Sequence, residues 1–270
     1  MNYKDAICSH AEAEYPKESC GLLVLLDGQI VYFPCNNTAV TPSEHFRISA
    51  EDWAKAEDAG EVVGVVHSHP DYPPEPSEAD RVGCEQTGVT WYIQEVRGGV
   101  GVRLNCFSPT GYRAPLIGRE FVHGVLDCLS IILDFYSREM GIELGQYDRE
   151  DGWWDNGKDY YRELLPKAGF FPVDELQHGD IVLMQIRSKV PNHAAIYLKD
   201  GRLKSEPCYP QDNMILHHCY GRLSRRDTYG GYWSDVTVGY WRHKDAAASN
   251  HPALRETGGQ IRPGAPAGRK

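Results

Sequence analysis

The sequence predicts a two-domain α+β protein from three observations. A chain of 270 residues suffices for two ordinary domains. Residues 1–108 alternate helix and strand signals, whereas residues 118–243 open with helices and continue as a run of strands. Between them, "SPTGYRAPLIGRE" clusters Pro109, Gly111, Pro115 and Gly118, which break periodic structure. The domains are therefore expected at 1–108 and 118–243, with a linker over 109–117. Residues 244–270, rich in Ala, Gly and Pro, are expected to form a disordered tail.

Residues 2–14 read as a helix, and "GLLVLLDGQIVYFP" as two strands around an Asp27-Gly28 hairpin turn. "HFRIS" reads as a short strand. Ser49, with Asp52 three residues on, resembles a capping box for a helix through about Ala59. "EVVGVVHS" is β-rich without alternation, as a strand buried on both faces would be. Ser77 can cap the helix "SEADRVGCEQTG", and "VTWYIQEV" and "GVRLNCF" follow as strands.

In the second block, residues 125–140 are apolar on several sides and predict a buried helix. "DGWWDNGKDYYRELLPKAG" reads as an aromatic loop and helix. "GDIVLMQI", "HAAIYLKD-GRLKSE" with an Asp200-Gly201 turn, "NMILHH" and "VTVGYWRH" read as strands.

The totals exclude several functions. Lys and Arg number 28 against 38 Asp and Glu, a formal charge of −10, so a nucleic-acid partner is not expected. No apolar run is long enough to span a membrane. "MNYKDAICSHAEAEYP" has no apolar core, so no secretory signal is expected. The eight cysteines include no CxxC pair and read as reduced thiols.

Chemistry concentrates in two places. Along a strand, residues two apart face the same side, so His67 and His69 converge. Asp80 falls in the first turn of the Ser77-capped helix. Two imidazoles and a carboxylate suit zinc with one position left for water, whose pKa such an ion lowers to roughly 7. A general base is then needed, and Glu18 in "YPKESCGLLV" is a candidate. "HSHPDYPPEPSEAD" resembles the motif of the JAMM (MPN-plus) metalloproteases: His-x-His-Pro, six residues, Ser, two residues, Asp. Glu18, Cys20 and Gly21 match that family's upstream Glu and Cys-Gly. The resemblance implies an α/β/α sandwich. It implies zinc on His67, His69 and Asp80, Glu18 as acid/base, Ser77 helping to hold the oxyanion, and cleavage of peptide or isopeptide bonds near the ends of ubiquitin-like proteins.

The second place is Cys128 in "LDCLSIILDF". A cysteine at a helix N-terminus has its thiolate stabilised by unpaired N–H groups. His193 and His217, on neighbouring strands, could supply a base and its orienter. "DCLS", "HAAIYL", "ILHH" and "ELQHGDIVLM" resemble the NlpC-type cell-wall peptidases, a compact papain-like fold. The resemblance implies Cys128, His193 and His217 as nucleophile, base and orienter, acting on peptidoglycan peptide stems. Alternation turns His218 away from His217. The tyrosine that often precedes that family's nucleophile and assists the oxyanion has Phe121 as its nearest counterpart.

The order of the two domains, with "GREFVHGVLDC", "WWDNG" and "GRLSRRDTYGGYW", resembles the tail tip assembly proteins of lambda-like phages. That resemblance implies other tail-tip proteins as partners, a ubiquitin-like tail assembly protein as substrate of the first domain, and peptidoglycan stems as substrate of the second. It implies work in the host cytoplasm during assembly, and at the virion tail tip facing the periplasm during entry. A structural or chaperone role with one or both sites silent is the alternative.

Overall fold

The computed structural model describes residues 2–147 and 152–249. They form two compact units. One holds the described residues up to Pro115 together with Val122–Leu126. The other holds Leu116–Phe121 and the described residues from Asp127 onward.

The first unit contains α1 (Tyr3–Glu14), β1 (Cys20–Leu26), β2 (Gln29–Cys35), α2 (Ala50–Ala59), β3 (Glu61–Pro70), α3 (Glu78–Thr87), β4 (Thr90–Arg97) and β5 (Val100–Phe107). Its sheet runs β2-β1-β3-β4-β5. Neighbours are antiparallel except β3 and β4, whose parallel pairing requires the crossover that α3 supplies. Leu23 and Val66 pack with Ile7 of α1 on one face. Leu22, Val24 and Val65 pack with Ala56 of α2 and Cys84 of α3 on the other. The result is the α/β/α sandwich, and β3 is its central strand, which is why its apolar run does not alternate. Gly21 meets a close approach within β1. A Cβ there would lie 2.5 Å from the Phe33 carbonyl oxygen and 2.5 Å from the Tyr32 ring.

The second unit contains α4 (Cys128–Phe135), α5 (Tyr160–Lys167), β6 (Phe170–Val173), β7 (Ile181–Met184), β8 (His193–Leu198), β9 (Met214–His217), β10 (Arg225–Thr228), α6 (Tyr232–Asp235), β11 (Thr237–His243) and α7 (Lys244–Ser249). The sheet order is β10-β9-β8-β7-β11-β6. Strands β7 to β10 form an antiparallel meander, and β11 returns beside β7. Leu183, Ala194, Ile196 and Leu216 bury one face with Ile131, Ile132 and Phe135 of α4. Val182, Met184, Ala195 and Ile215 form a second apolar cluster with Trp233.

Several local expectations differ. "HFRIS" is not a strand. Its backbone is tied down by Asn37, whose amide donates to His45 O (2.9 Å) and accepts from Arg47 N (3.1 Å), so no ladder forms. "GRLKSE" is not a strand either, because the Glu139 carboxylate takes Lys204 N and Ser205 N (2.8 Å for the latter). The helix expected over 125–140 starts only at Cys128, where Asp127 caps it, and its last turn, Tyr136–Met140, is wound as a π-helix. Strands β6 and β10 had no clear sequence signal. The breaker-rich stretch is anchored: Thr110 N and Tyr112 N donate to Glu85 (2.6 and 2.9 Å), and Leu116 N and Ile117 N donate to Glu206. The stretch expected as a tail begins with α7, and residues 250–270 lie outside the described residues.

Candidate active sites

In the first unit the residues singled out converge on the end of β3. His67 Nε2 lies 3.1 Å from His69 Nε2 and 3.2 Å from Asp80 Oδ1, and His69 Nε2 lies 3.6 Å from Asp80 Oδ2. The carboxylate arrives from α3 because the capping box fixes it. Ser77 N and Ser77 Oγ both donate to Asp80 Oδ2 (2.8 and 2.7 Å), and Asp80 N donates back to Ser77 Oγ (3.1 Å). Ser77 therefore spends its one hydroxyl proton on Asp80. Pairing of Cys20 with His67, continued by Ser68 N donating to Ser19 O (3.1 Å), sets Glu18 level with His69.

The charges fit a cation. Burial pushes Glu18 up to about 7, against the pull of His67 and His69 and with the help of Asp80. Burial also works to raise Asp80, but the charge of His67 and hydrogen bonds from His67, His69 and Ser77 outweigh it and hold the carboxyl well below the usual range. His69 is raised: burial opposes its charge, but Asp80 and the Pro73 carbonyl favour it. A carbonyl only accepts, so His69 Nδ1–H donates to Pro73 O (2.7 Å); protonated, His69 also donates from Nε2 to Asp80, and only when neutral does it turn a bare Nε2 toward His67 and Asp80. Tetrahedral zinc with bonds near 2.0–2.2 Å needs donor separations of roughly 3.3–3.5 Å, close to those observed. The donor set thus suits zinc in both chemistry and size, and it requires a proton or a cation at its centre. His67 is wedged between the stacked ring of Phe46 (4.5 Å between centroids) and the edge of Trp91.

In the second unit His193 Nε2 lies 3.1 Å from His217 Nδ1. His217 Nε2 lies 3.1 Å from Asp227 Oδ2, which also holds the Arg225 guanidinium at 2.8 Å. The protons can be assigned. A carboxylate only accepts, so His217 carries its proton on Nε2 and offers a bare Nδ1, which accepts from His193 Nε2–H. His193 Nδ1 is thereby left as the basic atom. Burial and the neighbouring imidazoles of His217 and His218 push His193 down to about 3. Burial lowers His217 too, in spite of Asp227. Both rings are neutral near pH 7.

His217, not His218, meets His193. His218 packs edge-on against Phe121 (5.2 Å), and burial, then Arg119, push it down to about 4. Cys128 opens α4, whose Asp127 cap accepts from Leu129 N and Ser130 N (both 3.0 Å). Cys128 Sγ lies 3.2 Å from Tyr161 Oη. His193 and His217 share the sheet side of Ala195 and Ile215, whereas α4 packs against the side of Ala194 and Ile196.

Sequence reasoning missed Asp227, Tyr161 and Cys219. Asp227 comes from the unanticipated strand β10, and Tyr161 from an aromatic cluster read as packing, which its contact with Trp153 also shows it to be. No local signal marks either one. Cys219 lies two residues beyond His217, with Sγ 3.4 Å from His217 Nδ1; that spacing was the only available hint.

The family models give the class, a JAB-type unit followed by an NlpC/P60 unit. Residues 2–106 match the model described as prokaryotic homologs of the JAB domain, and residues 118–242 match the NlpC/P60 family. Among whole proteins, the chain is 41% identical over 244 residues to the tail tip assembly protein K of Escherichia phage N15, covering 89% of this chain and 94% of that one. It is 39% identical over 204 residues to the tail tip assembly protein K of Escherichia phage lambda, covering 75% of this chain and 92% of the other. The chain belongs to this family of phage tail tip assembly proteins. Among the described residues, no helix is long and apolar enough to cross a membrane.

Proposed function

We propose that the chain carries two independent peptidases. The first unit is a zinc peptidase or isopeptidase that processes a ubiquitin-like tail assembly protein. The second is a cysteine endopeptidase that opens peptidoglycan peptide stems. Its partners are other tail-tip proteins; it works in the host cytoplasm during assembly and at the tail tip, facing the periplasm, during entry. The observation that carries the reading is that each unit pairs a complete donor set with a group suited to move a proton: Glu18 beside His67, His69 and Asp80, and His193 in line with His217 and Asp227.

In the first site His67, His69 and Asp80 would hold zinc, which when bound polarises the scissile carbonyl and acidifies water. Glu18, raised toward neutrality, takes a proton from the attacking water and returns it to the leaving amine. Ser77 keeps Asp80 aimed, and its hydroxyl reaches an oxyanion only by turning from Asp80.

In the second site Asp227 holds His217, and His217 holds His193 with Nδ1 bare for the thiol proton of Cys128. This requires Cys128 and His193 to meet across the end of the sheet. The Cys128 N–H, at the start of α4, and the Tyr161 hydroxyl are the donors for the oxyanion. Tyr161 thus supplies from α5 the hydroxyl that Phe121 lacks.

The test uses the full-length protein with two substrates, a tail assembly protein and purified stem peptides. A chelator is expected to stop the first cleavage and spare the second, and a thiol alkylator to do the reverse. Tail-tip assembly that proceeds with neither substrate cut would instead establish a structural or chaperone role.

A further inference from the structure

Three donor atoms in the second unit form a triangle like that of the first. His193 Nε2 and His217 Nδ1 are 3.1 Å apart, Cys219 Sγ is 3.4 Å from His217 Nδ1, and Cys219 Sγ is 3.9 Å from His193 Nε2. A tetrahedral ion with M–N near 2.0–2.1 Å and M–S near 2.3 Å sets these separations at roughly 3.3–3.6 Å, so each donor need move only a few tenths of an ångström. The surroundings suit an ion as well. Asp227 accepts from His217 Nε2–H (3.1 Å), the carboxylate–histidine pairing that aims the opposite nitrogen at a metal. The two imidazoles are buried, whereas Cys219 is partly exposed and gives an ion a way in.

We propose that His193, His217 and Cys219 form a second metal site, for a thiophilic divalent cation of the zinc type, and that its occupancy switches off the cysteine peptidase. On binding, the Cys219 thiol releases its proton to solvent and its sulfur bonds the ion. His217 Nδ1 gives its lone pair to the ion instead of accepting from His193. The His193 proton moves from Nε2 to Nδ1, freeing Nε2 for the ion. His193 Nδ1 then carries a proton and cannot take one from Cys128. The metal site stands on geometry alone; the inhibition rests on the peptidase reading of the second unit.

The test is titration of the reduced, chelator-stripped full-length protein with cobalt(II). A thiolate–cobalt charge-transfer band in the near ultraviolet is expected. It should vanish in Cys219→Ser and persist in Cys128→Ser and in His67→Ala, since the first site has no sulfur donor. Absence of the band from the wild-type protein, or its persistence in Cys219→Ser with the far-ultraviolet dichroism of the wild type, overturns the site. Zinc should also slow alkylation of Cys128, followed by peptide mapping, by about tenfold or more in the wild type and not in Cys219→Ser. A cobalt band without that protection overturns the switch and leaves the site. If the second unit cuts no stem peptide even when metal-free, the peptidase reading fails while the band still reports the site.

Discussion

The two units present similar triangles, two imidazoles with a carboxylate in one and with a thiol in the other, and differ in the protons inside them. In the first, His69 Nδ1–H is committed to the Pro73 carbonyl and Asp80 is held ionised, so two imidazole nitrogens and a carboxylate face one centre that takes a proton or a cation. In the second, His217 Nε2–H is committed to Asp227, and the proton of His193 closes the gap to His217. One arrangement leaves a buried carboxylate to be balanced by a proton or a cation, and the other is closed by the proton it already holds. Geometry and the partners on the outer nitrogens are alike in the two sites; what differs is whether a proton or a cation sits between the inner donors.

The largest expected effect falls on the relay. On the proposed reading, Cys128→Ser should lower stem-peptide cleavage by about 10³-fold or more, because a hydroxyl is a far weaker nucleophile than a thiolate. The zinc content of the first unit should not change. Cleavage that survives at wild-type rates would reduce the second unit to a scaffold and end the comparison.

Glu18→Gln is the matching change in the first unit. If Glu18 is the acid/base proposed and not a ligand, the change should lower cleavage of the tail assembly protein by roughly 10²–10⁴-fold while zinc is retained. His67→Ala should lose the zinc of the first unit as well. Loss of zinc in Glu18→Gln, measured by elemental analysis, would move Glu18 into the ligand set.

Tyr161→Phe probes whether a hydroxyl from α5 replaces the one absent at Phe121. A drop of roughly 10²-fold in kcat, with KM little altered, is expected for an oxyanion donor. An unchanged kcat would leave Tyr161 as packing against Trp153.

Ser77→Ala separates two roles at the first site. Removing the bonds that aim Asp80 should weaken zinc affinity by roughly 10–100-fold and cost the first unit about 1 kcal/mol through the lost helix cap. A lower kcat at full zinc occupancy would favour the oxyanion role instead.

The smallest effect concerns pH. The folded-state pKa values of His193 and His218 lie at about 3 and about 4, below the ordinary 6.5. Depressed values mean that the unfolded chain binds more protons. This contribution is full above about pH 6.5 and is lost as pH falls toward 4 and 3. The urea midpoint of the second unit should therefore fall on acidification, and the fall should be shallower in His218→Gln. A midpoint that holds between pH 7 and pH 4 would show that these rings are not buried as neutral groups.

The sequence by itself determined the α+β class of both units, the shared face of His67 and His69, and the place of Asp80 in the first turn of a capped helix, whereas the pairing of His193 with His217 was implied by the family resemblance. The former rest on short-range rules: alternation along a strand, a cap at a helix start, a turn at Asp27-Gly28. Where the rules misled, a distant side chain had taken over the backbone, as Asn37 does at His45–Arg47 and Glu139 at Lys204–Ser205. Only the tertiary structure decided that Asp227 stands behind His217, that Tyr161 touches Cys128, and that Cys219 completes a third donor. It also showed that Ser77 spends its proton on Asp80. Each is a matter of which atom of a ring, carboxyl or hydroxyl faces which partner. Hydrophobic periodicity places a side chain on a face, but only packing between elements far apart in the chain sets the tautomer and the hydrogen bond.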